Sequence, residues 1–405
     1  MKKILIFSLS YHPRFVGGAE VAIKEITDRI NSEDISFDMV TLRFDSNLPT
    51  IEKIGNVTIY RIGFSKINPT IVDLGKFPLH LNKFLFQFIA VWKAHKLHRK
   101  NNYDGVWAMM AHSCAVPAGL FNLLYPSVPY VLTLQEGDPP EYIKKKMLPI
   151  YPLFVLGFRR AKILQTISTF LLKWGRDMGF TGFGLIVPNA VDVKHFSQTF
   201  SLEAQLELKN KVGKKDGDIL MITTSRLVKK NAVDDVIKSL IYLPEEYKFL
   251  VIGIGSDEKM LKKLAQDSGV SARVVFLGEI KNKEIPKYLN ISDVFIRPSL
   301  SEGFGISFVE AMASGLPVIA TQEGGISDFL FDPEINKDKE STGLAVKVRD
   351  PKGIARQTVR LMSDGDLRLR LIKNGLSLVR EKYDWDNISK NMKENVFDRL
   401  FVDKK

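Results

Sequence analysis

Two glutamates around a glycine-rich turn carry the strongest chemical signal in the chain, within RPSLSEGFGISFVEAMASGLPVIAT at residues 297–321. Glu302 is followed by Gly303-Phe304-Gly305, then by apolar residues at helical spacing, and Glu310 comes after seven intervening residues. Glycines let a backbone approach a ligand closely, and a helix starting after them presents unpaired N–H groups that favour an anion. A carboxylate on each side of such a turn can accept hydrogen bonds from sugar hydroxyls. Two glutamates taken at random would be solvated charges at helix ends. Glu310, however, leads into AMASGLPVIA, an almost uncharged helix and strand, which argues against an outer face.

Other candidates are weaker on their own. Gly17-Gly18 lies in a loop between the first strand and the helix AEVAIKEITDRI, where small residues let a backbone N–H approach a phosphate or an acceptor. Alone, the pair is a turn signal. His112 falls between strand GVWAMM and the next helix, a position where open α/β sheets place ligand-binding loops, although a lone histidine is more often structural. The remaining histidines form no zinc-ligand pattern, and no metal is expected. VIGIGSD has two of the three glycines of a dinucleotide fingerprint and lacks the acidic partner at its usual spacing, so NAD binding is rejected.

The elements that must position these residues read as an α/β protein with parallel sheets. In the first half the strands are ILIFSL, FDMVTL, VTIYRI, DGVWAMM, YVLTLQ, KILQTIS and GLIVPNAV, with a long basic helix before KILQTIS. Residues 190–217 cross into a second series: DILMITTSR, YKFLVIGIG, ARVVFLG, DVFIRPS, LPVIAT and GLAVKV. Two such sheets make a pair of Rossmann-like domains, 1–190 and 191–383. The amphipathic segment YDWDNISKNMKENVF opens a carboxy-terminal helix over 384–405. MKKILIF imitates a secretory signal but has too short an apolar run and no cleavage site, so it reads as the first buried strand. Residues 105–135 carry no Lys, Arg, Asp or Glu, yet prolines, His112 and Asn122 divide them into strand, helix and strand rather than one membrane span.

With these motifs the chain resembles family four of the nucleotide-sugar glycosyltransferases, a large retaining family with the GT-B fold. The two-glutamate motif, GG at 324–325 and TGLAVKV at 342–348 match closely. FVGGAE, VPNAVDVKHF, SRLVKKNAVDDVIKSL, VIGIGSD and VVFLGEI follow the expected order. The resemblance implies an α/β GT-B fold of two facing Rossmann-like domains with an interdomain cleft, the carboxy-terminal helix returning to the first domain. It implies that Glu310 binds the nucleotide ribose and that Glu302, with Gly303 and the N–H groups of Phe304 and Gly305, holds the donor sugar. Arg226 and Lys230 would grip the diphosphate, Gly17 and Gly18 would face it, and His112 would stand near the sugar. The base would lie near backbone groups of Leu277 to Lys281, with Gly278, Glu279 and Ile280 binding the donor. The family more often places its lysine one position later, before a glycine, where this chain has Asn231-Ala232, so Lys229 stays open as a substitute for Lys230. TLQE at 133–136 stands where the family often has Thr-x-His-Asp, which weakens any reading of the acceptor.

The implied activity is a retaining hexosyltransferase that uses a UDP- or GDP-hexose, requires no cofactor, and serves a glycan or lipid-linked acceptor in cell-envelope polysaccharide or glycolipid synthesis. A nucleotide-sugar epimerase or phosphorylase, or a non-catalytic sugar-nucleotide-binding subunit, are the alternatives. The 405 residues carry 58 Lys+Arg and 46 Asp+Glu, a net charge of +12, and the single Cys114 fits a reducing compartment. Residues 1–188 hold +9 of that excess (23 basic, 14 acidic); 74–103 has six basic residues and no acidic one, and 139–176 has eight against one. Phe84, Phe86, Phe88, Trp92, Tyr151, Phe154 and Phe158 lie in the same stretches, a combination that suits an anionic membrane surface. No nucleic-acid motif accompanies them. The expected location is cytoplasmic, with peripheral docking on the inner face of the cytoplasmic membrane.

Overall fold

Short apolar and β-branched runs, most of them followed by a turn and a helix, form two largely parallel sheets. The computed structural model describes residues 1–70 and 72–402; residues 403–405, at the end of the expected carboxy-terminal helix, lie outside the described residues. The chain divides into Met1–Asn189 with Trp385–Lys405, and Ala190–Asp384.

In the first unit the strands are β1 (Lys2–Phe7), β2 (Ile35–Leu42), β3 (Ile51–Ile54), β4 (Val57–Ile62), β5 (Gly105–Met109), β6 (Tyr130–Leu134), β7 (Ile163–Thr166) and β8 (Phe183–Ile186). They pair in the order β3-β4-β2-β1-β5-β6-β7-β8. The signal-like amino terminus is the central strand: Ile4 to Phe7 are fully buried, with Ile4 in register with Phe37 of β2 and Gly105 of β5. Every neighbouring pair is parallel except β3 with β4, which run antiparallel. β3 is additional to the strands expected from the sequence. Its residues, IEKI, are exposed to half-buried at an edge, so it lacks the apolar run that marks the other strands.

The expected long basic helix is two helices, Pro140–Met147 and Tyr151–Arg159, separated by the turn Leu148–Ile150. Pro149 and Pro152 interrupt the continuous ladder, because proline lacks an N–H donor. A second correction concerns the aromatic residues. Phe86, Phe154 and Phe158 are fully buried and belong to no surface; Phe154 and Phe158 sit ring to ring at 5.2 Å, and Phe158 lies 5.5 Å from Trp174. Phe84, Phe88 and Trp92 remain exposed on the helix Asn82–Asn101. Residues 105–135 form β5, the helix Ala111–Leu124 and β6, and among the described residues no helix is long and apolar enough to cross a membrane.

The chain's last segment, Trp385–Asn391 followed by a π-helical turn Met392–Phe397 and Asp398–Leu400, packs within this unit. Phe397 meets Trp107 at 5.1 Å and Phe37 at 5.7 Å, and Arg29 Nε donates to Asp386 at 2.7 Å.

The second unit holds β9 (Ile219–Thr224), β10 (Tyr247–Ile252), β11 (Val274–Gly278), β12 (Val294–Arg297), β13 (Val318–Ala320) and β14 (Leu344–Ala345), in the order β11-β10-β9-β12-β13-β14. All pairs are parallel. Met221, Phe249, Val251, Val294, Ile296 and Ile319 fill its core. Counted from the first strand of the unit, this is the 3-2-1-4-5-6 arrangement of a Rossmann sheet, whose strand order reverses between β9 and β12. In the first unit the corresponding reversal lies between β1 and β5. Ligands of open α/β sheets bind beyond the carboxyl ends of the strands at such reversals.

Candidate functional site

In the second unit the loops after β9 and β12 flank the reversal, and they carry Arg226, Lys230 and Glu302. β12 ends in Arg297, a buried guanidinium that organises the turn after it. Its Nη2 donates to Glu302 Oε1 at 2.8 Å, and its Nη1 donates to Ser307 Oγ at 2.6 Å and to the Thr224 carbonyl of β9 at 3.3 Å. The guanidinium stacks over the Phe308 ring at 4.2 Å. Burial is the main force lowering the Arg297 pKa, and the carboxylates of Glu302 and Glu310 oppose it.

Gly305 makes this geometry possible. Its φ of 93° begins the helix Ile306–Ala313, and a Cβ there would press on the Phe308 ring and stand 3.1 Å from Arg297 Nη2. Phe304 is buried against Phe329 and Tyr383 at ring distances of 5.3 and 5.2 Å. From the other side, the N–H of Gly325 holds the Glu302 carbonyl at 2.9 Å, which gives the GG pair at 324–325 a structural task.

Lys230 Nζ stands 4.0 Å from Glu302 Oε2. Its carbonyl accepts from Leu300 N–H at 2.7 Å, tying the loop after β9 to the loop after β12. Arg226 is exposed, while its carbonyl accepts from Asn231 Nδ2 at 2.6 Å. Lys229 is also exposed and opens the short turn Lys229–Asn231. Ala232 has φ 50°, a conformation that favours glycine, so the departure from the family pattern is accommodated by a strained alanine.

Glu310 lies on the helix Ile306–Ala313 and is partly buried. Burial of its carboxyl raises its pKa from 4.5 to about 7, against the lowering effects of the Arg297 charge and a hydrogen bond with Asn282. That bond places Glu310 beside the end of β11 and the segment after it, Gly278 (φ 70°), Glu279 and Ile280, the residues expected to meet the base. The structure therefore gathers Arg226, Lys230, Glu302 and Gly303–Gly305 at the strand-order reversal, and joins Glu310 to the 278–282 segment through Asn282. Several buried polar atoms at the same strand ends have no hydrogen-bond partner: Thr223 Oγ1, Thr224 Oγ1, Ser225 Oγ, Asn231 Oδ1, Arg297 Nε and Ser299 Oγ. Buried polar groups are normally paired, which sets these atoms apart from most buried polar groups of the unit.

VIGIGSD does a different job. A Cβ on Gly253 would collide with the Ser225 carbonyl oxygen, and one on Gly255 with that of Leu227, so this glycine pair lets the loop after β9 pass close by.

In the first unit the loops after β1 and β5 flank the reversal. Gly17 N–H donates to Glu20 Oε2 at 2.8 Å and Ser10 Oγ to Glu20 Oε1 at 2.6 Å, so a buried carboxylate holds the Gly17-Gly18 turn. His112 sits in the first turn of the helix Ala111–Leu124. Its N–H donates to Glu136 Oε1 at 3.2 Å, and its Nδ1 lies 3.4 Å from the same oxygen. Glu136 is buried and also accepts from Gln135 N–H at 3.0 Å. Cys114, buried in the same helix, has its thiol pKa pushed up by burial. Among the described residues no group of three or more His, Cys, Asp or Glu is placed to hold a metal ion.

Sequence reasoning assigns no role to Arg297, Ser307, Asn282 or Glu136. A usable signal exists for Arg297, a charged residue ending an otherwise apolar buried strand. Glu136 stands out in sequence only as a departure in TLQE; its partner His112 comes from the preceding crossover.

The family model described as "Glycosyl transferases group 1" matches residues 204–377. An uncharacterized glycosyltransferase of Methanocaldococcus jannaschii is 25% identical over 401 residues, 96% of this chain and 96% of its own. An alpha-monoglucosyldiacylglycerol synthase of Acholeplasma laidlawii is 28% identical over 187 residues, 44% of this chain and 46% of its own. Among solved structures, the Anabaena protein HepE in complex with UDP and glucose superposes with a TM-score of 0.75 at 19% identity, over 98% of this chain and 100% of that one. The fold is GT-B, with two Rossmann-like parallel-sheet domains, and the matches support a glycosyltransferase of the GT-B superfamily.

Proposed function

We propose that the protein is a retaining hexosyltransferase of glycosyltransferase family four. It moves a hexose from a UDP- or GDP-sugar to a glycan or lipid-linked acceptor in cell-envelope polysaccharide or glycolipid synthesis. The observation that carries this reading is the second unit's strand-order reversal, where Arg226, Lys230, Glu302 and a set of unpaired buried polar atoms converge. The HepE complex with UDP and glucose supports a nucleotide-sugar donor, and the glycolipid-forming relative supports a lipid-linked acceptor.

In this reading Glu310 accepts hydrogen bonds from the ribose hydroxyls, and Gly278, Glu279 and Ile280 line the base. Glu302, held by Arg297, accepts from the sugar hydroxyls, with Gly303 and the N–H groups of Phe304 and Gly305 completing that cradle. As the bond from the sugar to the diphosphate oxygen breaks, its electron pair remains on the diphosphate. Arg226 and Lys230 stabilise the charge that develops there, the kind of contribution that usually dominates such steps. The acceptor oxygen bonds to the anomeric carbon on the face the diphosphate leaves, and its proton passes to the departing phosphate oxygen. His112, oriented by Glu136, contacts the donor sugar, and the Gly17-Gly18 turn faces the diphosphate. No resident cofactor or metal takes part. The exposed Phe84, Phe88 and Trp92 with neighbouring lysines support peripheral docking on an anionic membrane from the cytoplasmic side.

Arg226→Ala tests the assignment, because the side chain is exposed. Release of nucleoside diphosphate should fall by about two to three decades, the range for removing one charge-stabilising donor. A folded variant turning over at the parent rate would sink the site.

A further inference from the structure

Glu302 has two cations beside it, and they are held in different ways. The Arg297 guanidinium donates to its Oε1 at 2.8 Å, whereas Lys230 Nζ stands 4.0 Å from its Oε2. The first contact is a charge-assisted hydrogen bond; the second is too long for one. All three side chains are largely buried, with 6%, 12% and 16% of the Arg297, Glu302 and Lys230 surfaces exposed. Charges with little water around them couple strongly, so the partner that Glu302 takes decides what the other cation can do.

Arg297 is built into the end of the sheet. Its Nη1 donates to Ser307 Oγ at 2.6 Å and to the Thr224 carbonyl at 3.3 Å, and its guanidinium lies 4.2 Å from the centre of the Phe308 ring. These contacts fix it to β9 and to the helix Ile306–Ala313 at once. Lys230 is a compact point charge on a flexible four-carbon stem. It is carried by the short turn Lys229–Asn231, where its own carbonyl is tied to Leu300 N–H. A rigid fork suits a carboxylate that must stay in place, and a mobile ammonium suits an anion that arrives with a substrate. Without Arg297, the cation left within 4.0 Å of the Glu302 carboxylate among the described residues is Lys230.

We propose that Arg297 is a positioning residue for the transfer step: by satisfying Glu302 it keeps Lys230 available to the donor diphosphate. The assignment rests on the glycosyltransferase reading, in which Lys230 grips that diphosphate. It couples three residues, so that loss of Arg297 weakens phosphate binding although Arg297 itself touches no phosphate.

The test measures the dissociation constants of the full chain for UDP and UMP, and for GDP and GMP, by titration calorimetry. The advantage of diphosphate over monophosphate isolates the second phosphate and involves no sugar, so the contact between Glu302 and the sugar does not enter. Arg297→Met should cut that advantage by at least about tenfold, the scale of one charge-assisted hydrogen bond. Lys230→Ala should cut it as far, and Arg297→Met should add nothing in that background. Arg297→Met combined with Glu302→Gln should return the parent's advantage, because a neutral amide has no charge to draw Lys230. That double variant buries no unpaired carboxylate, and Arg297→Lys keeps a cation beside Glu302, so both give a reading if Arg297→Met alone does not fold. Arg297→Lys should keep most of the advantage. A general structural role would weaken diphosphate and monophosphate together and leave their ratio unmoved. An unchanged ratio in folded Arg297→Met, a further drop when it is added to Lys230→Ala, or a double variant as weak as Lys230→Ala would overturn the proposal. Any of these outcomes in a protein that binds nucleotide refutes the Arg297 role alone, whereas a parent that binds neither UDP nor GDP refutes the donor reading.

Discussion

Glu310→Gln should make the protein more stable at pH 8 while weakening its grip on the nucleotide. In the folded protein burial lifts the Glu310 pKa from 4.5 to about 7. The folded state therefore holds a proton between pH 4.5 and 7 that the unfolded chain has released, and stability falls as pH rises through that window. Each tenfold change in acid strength corresponds to about 1.4 kcal/mol, so keeping the ionised carboxylate in place above pH 7 costs at most about 3–4 kcal/mol. Glutamine has nearly the same shape and no charge, so the substitution removes that cost. For a unit of this size about 1 kcal/mol moves the melting temperature by about 2–4 °C, which puts the expected gain at several degrees at pH 8. The gain should shrink to nothing by about pH 4.5, where the folded parent carries a neutral side chain as the variant does. Differential scanning fluorimetry from pH 5 to 8.5, with and without UDP and GDP, reads both effects. Nucleotide-induced stabilisation should strengthen in the parent protein as pH rises through 7 and lose that trend in the variant. A variant less stable than the parent at pH 8, or one whose stability gain does not depend on pH, would refute the reasoning.

Arg297→Ala leaves Glu302 without its closest cation in a buried setting, and unfolding titrations should show a loss of about 3–5 kcal/mol. Arg297→Met should lose less in a double variant with Glu302→Gln, where no unpaired charge remains. Gly305→Ala forces a Cβ against Phe308 at φ 93°, and should cost about 1–3 kcal/mol by the same measurement. Glu136→Gln should lower kcat about tenfold with KM for the donor little changed, because His112 loses the carboxylate that orients it. An unchanged kcat would leave Glu136 a purely structural residue.

The parallel sheets are legible because a strand buried on both faces must be apolar for its whole length, and ILIF, GVWAM and FLVI stand out for that reason. β3 is not, since IEKI at an edge keeps half its surface in water and mixes polar with apolar residues. The glutamate and glycine motif is visible as spacing, but Arg297, which ties Glu302 to Ser307 and β9, reads in sequence as one more charge at a strand end. His112 can be singled out from its place after β5; its partner Glu136 comes from the next crossover, and such a contact across two loops has no periodicity to betray it. Composition misleads where it counts residues without their directions. Phe154 and Phe158 stand in a basic stretch, yet at helical spacing they turn inward together, while Phe84, Phe88 and Trp92 turn outward.

The most direct test of the donor site and the retaining chemistry is a turnover assay with a panel of UDP- and GDP-hexoses, with and without lipid extract as acceptor, followed by NMR of the product's anomeric proton. The expected result is acceptor-stimulated release of nucleoside diphosphate, a product with the donor's anomeric configuration, and loss of both in Arg226→Ala. An inverted product would contradict the retaining chemistry. An epimerised nucleotide sugar, or a folded Arg226→Ala variant working at the parent rate, would contradict the central claim.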